Sequence, residues 1–309
     1  MLLADLCSGV TDPPRSCCGR KPVPLADQLF SAAFKVYSTF SSRRFNCDLQ
    51  DAHEAGYLSR PLHCNKVNTF IEDAGRTPFL KALIVRSALP LKAVDTDFAV
   101  DSSGFSTSKF VRRYDEKYGV HRSGHDWVKA HIVCGVKTNV VTAAAIYGRD
   151  AGDAPILPEL IRGTAENFTV KEVSADKAYL SVENVEMVFQ AGGIPFIATK
   201  SNTTGAAGGL FEKMVHYYQF QREDFLKHYH KRSNVESTIS AVKRKHGDSV
   251  RSRTPAAMVN EVLAKLLCHN LCRVILSQCE LGIEAAFWQN QEADKGGESR
   301  DVLPLVRPG

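Results

Sequence analysis

Residues 130–146 read AHIVCGVKTNVVTAAAI. Two apolar runs, 130–136 and 140–146, flank the polar tripeptide Lys137-Thr138-Asn139. Apolar runs of this length around a short polar turn are typical of a β-hairpin. The stretch therefore predicts two antiparallel strands joined by a tight turn.

Strand and helix patterns alternate on either side of this hairpin. Before it, Asp97-Phe-Ala-Val-Asp101 alternates polar and apolar residues and is expected to end at Asp101, ahead of Ser102-Ser103-Gly104. After it, the patterns predict a helix over 155–168, a strand over 170–175, a helix over 182–191 and a strand over 194–199. This order is typical of an α/β fold, a mixed sheet with helices packed against it.

The N-terminal third has a different pattern. Apolar residues recur at helical spacing over 25–40, and shorter helices are expected over 47–54, 61–73 and 77–88. Residues 25–94 therefore predict a small all-helical unit. Its two middle helices resemble a helix-turn-helix in outline, but that arrangement is common, so the sequence leaves DNA binding by this unit open.

Four segments of the chain follow from these patterns. We expect an irregular lead-in over 1–24, the helical unit over 25–94, the α/β domain over 95–285 and a disordered tail over 286–309. Within the α/β domain, Gly205, Gly208 and Gly209 indicate an insertion near 201–224. Further helices are expected over 235–245 and 255–281.

Composition excludes several classes of protein. The 309 residues are 44% hydrophobic and 24% charged, which is ordinary for a globular chain. The N-terminus has no basic lead or apolar core of a signal peptide, and no apolar run approaches the roughly 18 residues that span a membrane. We therefore expect a cytoplasmic protein with no membrane partner.

Basic residues are concentrated in one segment. The whole chain carries a net charge of +5, which permits a polyanionic partner without requiring one. Over 227–253 the only acids are Glu236 and Asp248. The basic residues there are Lys227, Lys231, Arg232, Lys243, Arg244, Lys245, Arg251 and Arg253. Such a segment suits a phosphate backbone, and a solvated helix face is the alternative.

The nine cysteines are scattered and form no CxxC pair. They predict reduced thiols in a reducing compartment. Cys268, His269 and Cys272 could suggest a metal site, but they lie in the apolar run 262–275. That position favours buried thiols in a core.

Three acids are candidates for catalysis. Asp101 and Asp176 each end a predicted strand, where an open sheet presents its ligands. Glu236 begins a helix rich in basic residues. Carboxylate oxygens suit Mg²⁺, and three carboxylates can hold two ions that clamp a phosphodiester. Each acid also has a structural alternative, a turn or helix cap for either aspartate and a Ser233–Glu236 capping box for the glutamate.

Three motifs resemble those of bacterial insertion-sequence DDE transposases. Tyr229-x2-Arg232-x3-Glu236-x6-Lys243 matches the Tyr-Arg-Glu-Lys signature of that group at all four positions. The stretch 174–179, SADKAY, is similar to its second-aspartate motif, and 101–105, DSSGF, to its first. The resemblance covers roughly residues 25–285.

The resemblance implies an RNase H-like catalytic fold and a DNA transposase. It implies cleavage of a DNA strand with two Mg²⁺ ions, for which Mn²⁺ can substitute, and attack of the freed 3′-hydroxyl on target DNA. Asp101 would bridge the two metals, and Asp176 and Glu236 would each hold one. Tyr229, Arg232 and Lys243 would grip phosphates near the cut, with Arg244 and Lys245 as further DNA contacts.

The same resemblance implies double-stranded DNA as the partner, at terminal inverted repeats and at a target, and a dimer when two ends are bound. Members of the group usually begin with residues upstream of the position of Met1, so the end-binding region is expected to be incomplete. Two alternatives stay open. One is a non-catalytic DNA-binding relic of a transposase, and the other is a different RNase H-like nuclease, such as a resolvase or a hybrid nuclease.

Overall fold

The computed structural model describes residues 1–13, 21–107, 127–200 and 203–288. The chain divides into two compact units. One unit consists of Met1–Pro90 together with Ser252–Gly309, and the other is Leu91–Arg251.

The first unit is helical over its described residues. Its helices are α1 (Leu2–Ser8), α2 (Leu25–Ser38), α3 (Phe45–Glu54), α4 (Cys64–Glu72), α5 (Thr77–Ala88) and α11 (Pro255–Leu281). Helix α11 was expected within the α/β domain, but it groups with the N-terminal helices instead. Because apolar residues occur on most of its sides, it must be enclosed by other helices. Buried Asn270 fixes it to α5 by donating to Ser87 Oγ at 3.0 Å.

Two sequence-based boundaries of this unit differ from the structure. Residues 2–8, expected to be irregular, form α1, because Leu6 and Cys7 are buried. The tail expected from residue 286 begins with ordered residues, since Phe287 is buried and the Trp288 indole N–H donates to the Asp5 carbonyl at 3.0 Å. The remaining predicted tail, 289–309, and residues 14–20 of the lead-in lie outside the described residues.

Helix α11 bears on the expectation that no apolar run is long enough to span a membrane. By length and composition it could cross a membrane, but most of its apolar window is buried inside the protein. Such burial is typical of the core helix of a soluble protein, so its length is weak evidence for a membrane span. Cys268 lies in this core, with its Sγ 3.4 Å from the Ala33 carbonyl. The described cysteines are free thiols, as the sequence predicts.

The second unit is built on a five-stranded mixed sheet. Its strands are β1 (Asp97–Ser106), β2 (Trp127–Gly135), β3 (Val141–Gly148), β4 (Glu172–Ala175) and β5 (Ile194–Ile197), in the order β3-β2-β1-β4-β5. Strands β1, β2 and β3 are antiparallel, whereas β4 and β5 run parallel to β1. The mixed sheet, its hairpin and its flanking helices are those of the predicted RNase H-like α/β fold.

Five helices accompany the described part of this sheet. They are α6 (Leu157–Ala165), α7 (Val182–Gln190), α8 (Gly209–Phe220), α9 (Arg222–Tyr229) and α10 (Ser233–His246). The predicted insertion near 201–224 therefore contains a regular helix, α8. Its apolar side explains the difference from a glycine-bearing loop, because Phe211, Met214 and Val215 are buried.

Candidate active site

Asp101 and Asp176 occupy equivalent positions on neighbouring strands. The parallel pairing of β1 with β4 ends at Val100 and Ala175, and each aspartate is the next residue. The prediction that β1 ends at Asp101 is wrong. Because β2 continues to pair with β1 as far as Ser106, Asp101 lies mid-strand, at the point where only β4 ends.

Glu236 lies in the first turn of α10, which begins at Ser233. A short 3₁₀ turn, His230–Arg232, joins α9 to α10, so Tyr229 and Arg232 lie on the incoming segment. Among the described residues no side chain caps the first turn of α10. The capping-box alternative is therefore not realised, and the Glu236 carboxylate is directed to Arg232 instead.

The Arg232 guanidinium bridges two of the three acids. Its Nη1 donates to Asp101 Oδ2 at 3.0 Å, and its Nη2 donates to Glu236 Oε1 at 2.5 Å. The Arg232 side chain is 22% exposed and that of Glu236 52% exposed. Although burial lowers the pKa of Arg232, the nearby charges of Tyr229 and the three acids raise it above its ordinary value.

The pKa of Asp101 departs from its ordinary value. Burial raises its pKa above the ordinary value. The Ser102 amide and Arg232 oppose this increase in pKa, whereas the negative charges of Asp176 and Glu236 add to it. Asp101 is thus electrostatically coupled to both other acids, although they are far apart in sequence. A carboxylate repelled by two others is a natural cation ligand.

Tyr229 belongs to the same neighbourhood. Burial raises the pKa of its phenol, the Arg232 charge lowers it, and the Asp176 charge raises it again. Its ring centroid lies 6.0 Å from the Arg232 guanidinium carbon, within cation–π range. The structure thus brings Tyr229 and Arg232 into the electrostatic surroundings of the acids.

Lys243 contacts β1 at Ser103, two residues after Asp101. Its Nζ donates to Ser103 Oγ at 2.7 Å and lies 5.3 Å from the Phe105 ring centroid. Burial lowers its pKa. Arg244 and Lys245, the next two residues of α10, are exposed.

Lys231 serves a different purpose from its neighbours in the basic segment. Its Nζ lies 2.7 Å from Asp97 Oδ2 and 2.6 Å from Glu172 Oε2. His228 Nδ1 also contacts Glu172 Oε2, at 2.9 Å, and its ring stacks on Phe196 with centroids 4.5 Å apart. These contacts fasten the α9–α10 connection to the ends of β1 and β4, so Asp97 is a structural acid.

A second polar cluster was missed by sequence reasoning. Ser102 Oγ donates to Asp153 Oδ1 at 2.7 Å, and His131 Nδ1 lies 3.1 Å from the Tyr179 hydroxyl. We call these four residues the reverse-face network. The available signal was the polar Lys129 and His131 at alternate positions of an apolar strand. Tyr179 also lies within the quoted second-aspartate motif, although it was not selected.

The donor set of the three acids fits a divalent cation, since all of its oxygens are hard carboxylate ligands. Within the described ranges, no three His, Cys, Asp or Glu side chains converge closely enough to ligate an ion as they stand. The positive charge among the acids is the Arg232 guanidinium, which stands in for a cation. The Cys268, His269 and Cys272 alternative likewise forms no such group.

Comparison with known proteins gives a family and a likeness to a solved structure. A family model described as transposase DDE domain matches residues 92–271, a span that contains all three acids. No curated protein matches the chain significantly. Among solved structures, the chain is similar to the piggyBac transposase in its synaptic complex with hairpin DNA. The TM-score is 0.45 at 10% identity, over 92% of this chain and 76% of that one.

Proposed function

Because the chain belongs to the transposase DDE domain family, whose model matches more than half of it, we propose that Asp101, Asp176 and Glu236 are its catalytic residues. The protein is a DNA transposase, and its family generally uses divalent metal ions. The proposed reaction is cleavage of a DNA strand followed by attack of the freed 3′-hydroxyl on target DNA. The observation that carries the assignment is geometric: Asp101 and Asp176 follow the last paired residues of neighbouring strands, and Arg232 bridges Asp101 and Glu236.

The proposed cofactor is a pair of Mg²⁺ ions, for which Mn²⁺ can substitute. Asp101, whose carboxylate interacts with the charges of both other acids, would contribute to holding both ions, and Asp176 and Glu236 would each contribute to holding one. When bound, the ions supply a clamp for the attacking and leaving oxygens of the phosphodiester. The residues of the chain then have to bind and orient the DNA.

Arg232 has two successive partners in this proposal. In the structure its fork neutralises Asp101 and Glu236. The same fork geometry suits two oxygens of a phosphate. Once the carboxylates hold cations, the guanidinium is available for the strand to be cut. Tyr229 would support it through the cation–π contact.

DNA contacts continue along α10. Lys243 would bind phosphate as a point charge, and the exposed Arg244 and Lys245 would extend the basic surface. The DNA partners are double-stranded terminal inverted repeats and a target. Since two ends have to be held together, the chain would act as a dimer on DNA, in the cytoplasm and at the nucleoid.

A nicking assay tests this function. The purified chain is incubated with DNA carrying the inverted repeats that flank its gene, with and without Mg²⁺. We expect nicks at the repeat ends only when Mg²⁺ is present, and none with Asp101→Asn. Asp150→Asn is the matched control, because this aspartate has a 90% exposed side chain and pairs with its neighbour Arg149. Equal nicking by the wild type and Asp101→Asn would refute the proposed site.

A further inference from the structure

The reverse-face network lies on the side of β1 opposite Asp101. Because side chains alternate along a strand, Ser102 points away from the face that carries Asp101. His131 is the cross-strand partner of Ser102 on β2, so both belong to this reverse face. His131 and Tyr179 are almost fully buried, at 0% and 1% exposure. These two side chains are therefore shielded from solvent, whereas Ser102 and Asp153 are partly exposed.

Each end of the network adjoins one of the two aspartates. Ser102 directly follows Asp101 on β1. Tyr179 ends the 3₁₀ turn Lys177–Tyr179, which starts right after Asp176, and its amide donates to the Asp176 carbonyl at 2.9 Å. The network thus links the neighbour of one acid to the turn that carries the other.

Asp153 and His131 connect these two ends. Asp153 Oδ1 accepts from Ser102, and His131 Nδ1 lies 3.4 Å from the same oxygen. The charge of Asp153 is balanced by Lys129, whose Nζ lies 2.9 Å from Oδ2. The Ser102 hydroxyl and the Tyr179 hydroxyl are thus connected through Asp153 and His131.

Backbone contacts hold the network in place. Buried Asn184 of α7 donates to the Ala154 carbonyl at 2.9 Å and to the Tyr179 carbonyl at 2.6 Å. The loop that carries Asp153 and the turn that carries Tyr179 are therefore tied to one side chain. Such an arrangement fixes positions rather than permitting adjustment.

The burial of a histidine at position 131 is not explained by packing alone. Its Nε2 is buried and has no hydrogen-bond partner among the described residues. A buried nitrogen without a partner destabilises a fold, and an apolar side chain would avoid this loss. The imidazole therefore has a role that depends on its Nδ1 contacts.

We propose that the reverse-face network sets the separation of Asp101 and Asp176, so that its members are positioning residues for cation binding. This inference rests on the proposed function, since it takes the two aspartates as cation ligands. Removal of outer hydrogen-bond partners of metal ligands typically lowers metal affinity about 10–100-fold. We expect a loss of that size from single hydroxyl deletions in the network.

The test is Mn²⁺ binding to the DNA-free protein, followed by the electron paramagnetic resonance signal of free Mn²⁺. Tyr179→Phe removes one hydroxyl and keeps the ring, and it should weaken binding by about 10–100-fold. The matched control is Tyr147→Phe. Tyr147 also faces the His131 ring, with centroids 6.3 Å apart, but its hydroxyl bonds Glu159 at 2.8 Å. Its variant should bind Mn²⁺ as the wild type does.

Ser102→Ala removes the hydroxyl at the other end of the network. It is an independent test of the inference if Tyr179→Phe does not fold. Circular dichroism shows whether each variant is folded at the titration temperature. Since both hydroxyls act through one network, the double variant should bind little more weakly than either single variant. Additive losses, or wild-type affinity in both single variants, would overturn the inference.

Asp101→Asn separates this inference from the proposed function. If the wild type binds Mn²⁺ and Asp101→Asn does not, unchanged affinity in the network variants refutes the positioning role alone. If Asp101→Asn binds Mn²⁺ as tightly as the wild type, or the wild type does not bind it, both proposals fail.

Discussion

Arg232 Nη1 lies 3.0 Å from Asp101 Oδ2, so a residue of the α9–α10 connection neutralises an acid in the middle of β1. The two residues are distant in sequence, and Arg232 was expected to lie in a segment with few acidic partners. The partners come from tertiary structure, not from the segment itself. Because Arg232 has acidic partners within the fold, its substitution should affect stability as well as DNA binding.

Arg232→Ala should affect both stability and DNA binding. It leaves Asp101 and Glu236 without the guanidinium that bridges them. We therefore expect the free energy of unfolding to fall by about 1–2 kcal/mol, between the values for exposed and buried ion pairs. Added Mg²⁺ should restore much of it. Loss of one phosphate contact should reduce the salt slope of DNA binding by about one unit. Thermal melts and binding titrations over a salt series measure the two effects.

Arg232→Lys is the informative companion to this variant. An ammonium can pair with one acid but cannot reproduce the two-nitrogen fork. Stability should therefore recover partly while strand cleavage stays impaired. Full recovery of cleavage would mean that the fork geometry is not needed.

Asp101→Asn should abolish cleavage and stabilise the protein at neutral pH. The folded-state pKa of Asp101 is raised above its ordinary value of 3.8. As pH rises from 3.8 through the higher folded value, the unfolded state releases its proton first, so stability falls and remains lower above that window. Asparagine removes this effect. Melting temperatures of both proteins, measured without divalent ions from pH 3 to 8, should diverge as pH rises, and parallel curves would contradict the prediction.

Lys231→Met should destabilise the second unit without altering DNA binding. It leaves Asp97 and Glu172 next to each other without their shared ammonium, at a site where the lysine side chain is 29% exposed. We expect a loss of about 1–2 kcal/mol. Because the Lys231 ammonium pairs with Asp97 and Glu172, the salt slope of DNA binding should equal that of the wild type. A reduced slope would place this lysine on the DNA.

Lys243→Ala should show the opposite pattern. Burial lowers the pKa of this ammonium, so removing it relieves a desolvation penalty and stability should change by less than about 1 kcal/mol. DNA affinity should fall, with a salt slope smaller by about one unit. Lys92→Ala, at an exposed position before β1, is the control. Equal slopes for Lys243→Ala and the wild type would exclude a phosphate contact.

Periodicity predicted most of the second unit because its signals are local. The strands β2 and β3 of the hairpin lie within three residues of the predicted runs. In the first unit, the helix Pro255–Leu281 likewise has the predicted bounds. The extent of β1 was not predictable, because its last residues are strand only through pairing with β2. The sequence also could not predict to which unit α11 belongs, because an apolar helix does not indicate which surface it covers.

In the candidate site, too, local features could be predicted from the sequence and tertiary contacts could not. Asp101, Asp176 and Glu236 were selected from motifs and position, and the structure places charges of Asp176 and Glu236 near Asp101. The roles of Lys231 and His131 were not accessible, since each depends on partners from distant strands. A basic residue next to other basic residues gives no sign of whether it faces phosphate or a buried acid.

The most direct test of the central claim is anomalous scattering from crystals of the protein soaked in Mn²⁺. We expect two peaks about 3.5–4 Å apart, within ligand distance of Asp101, Asp176 and Glu236, and an Arg232 guanidinium no longer bridging Asp101 and Glu236. Crystals of a cleavage-competent protein with no Mn²⁺ peak at these three carboxylates would contradict the account.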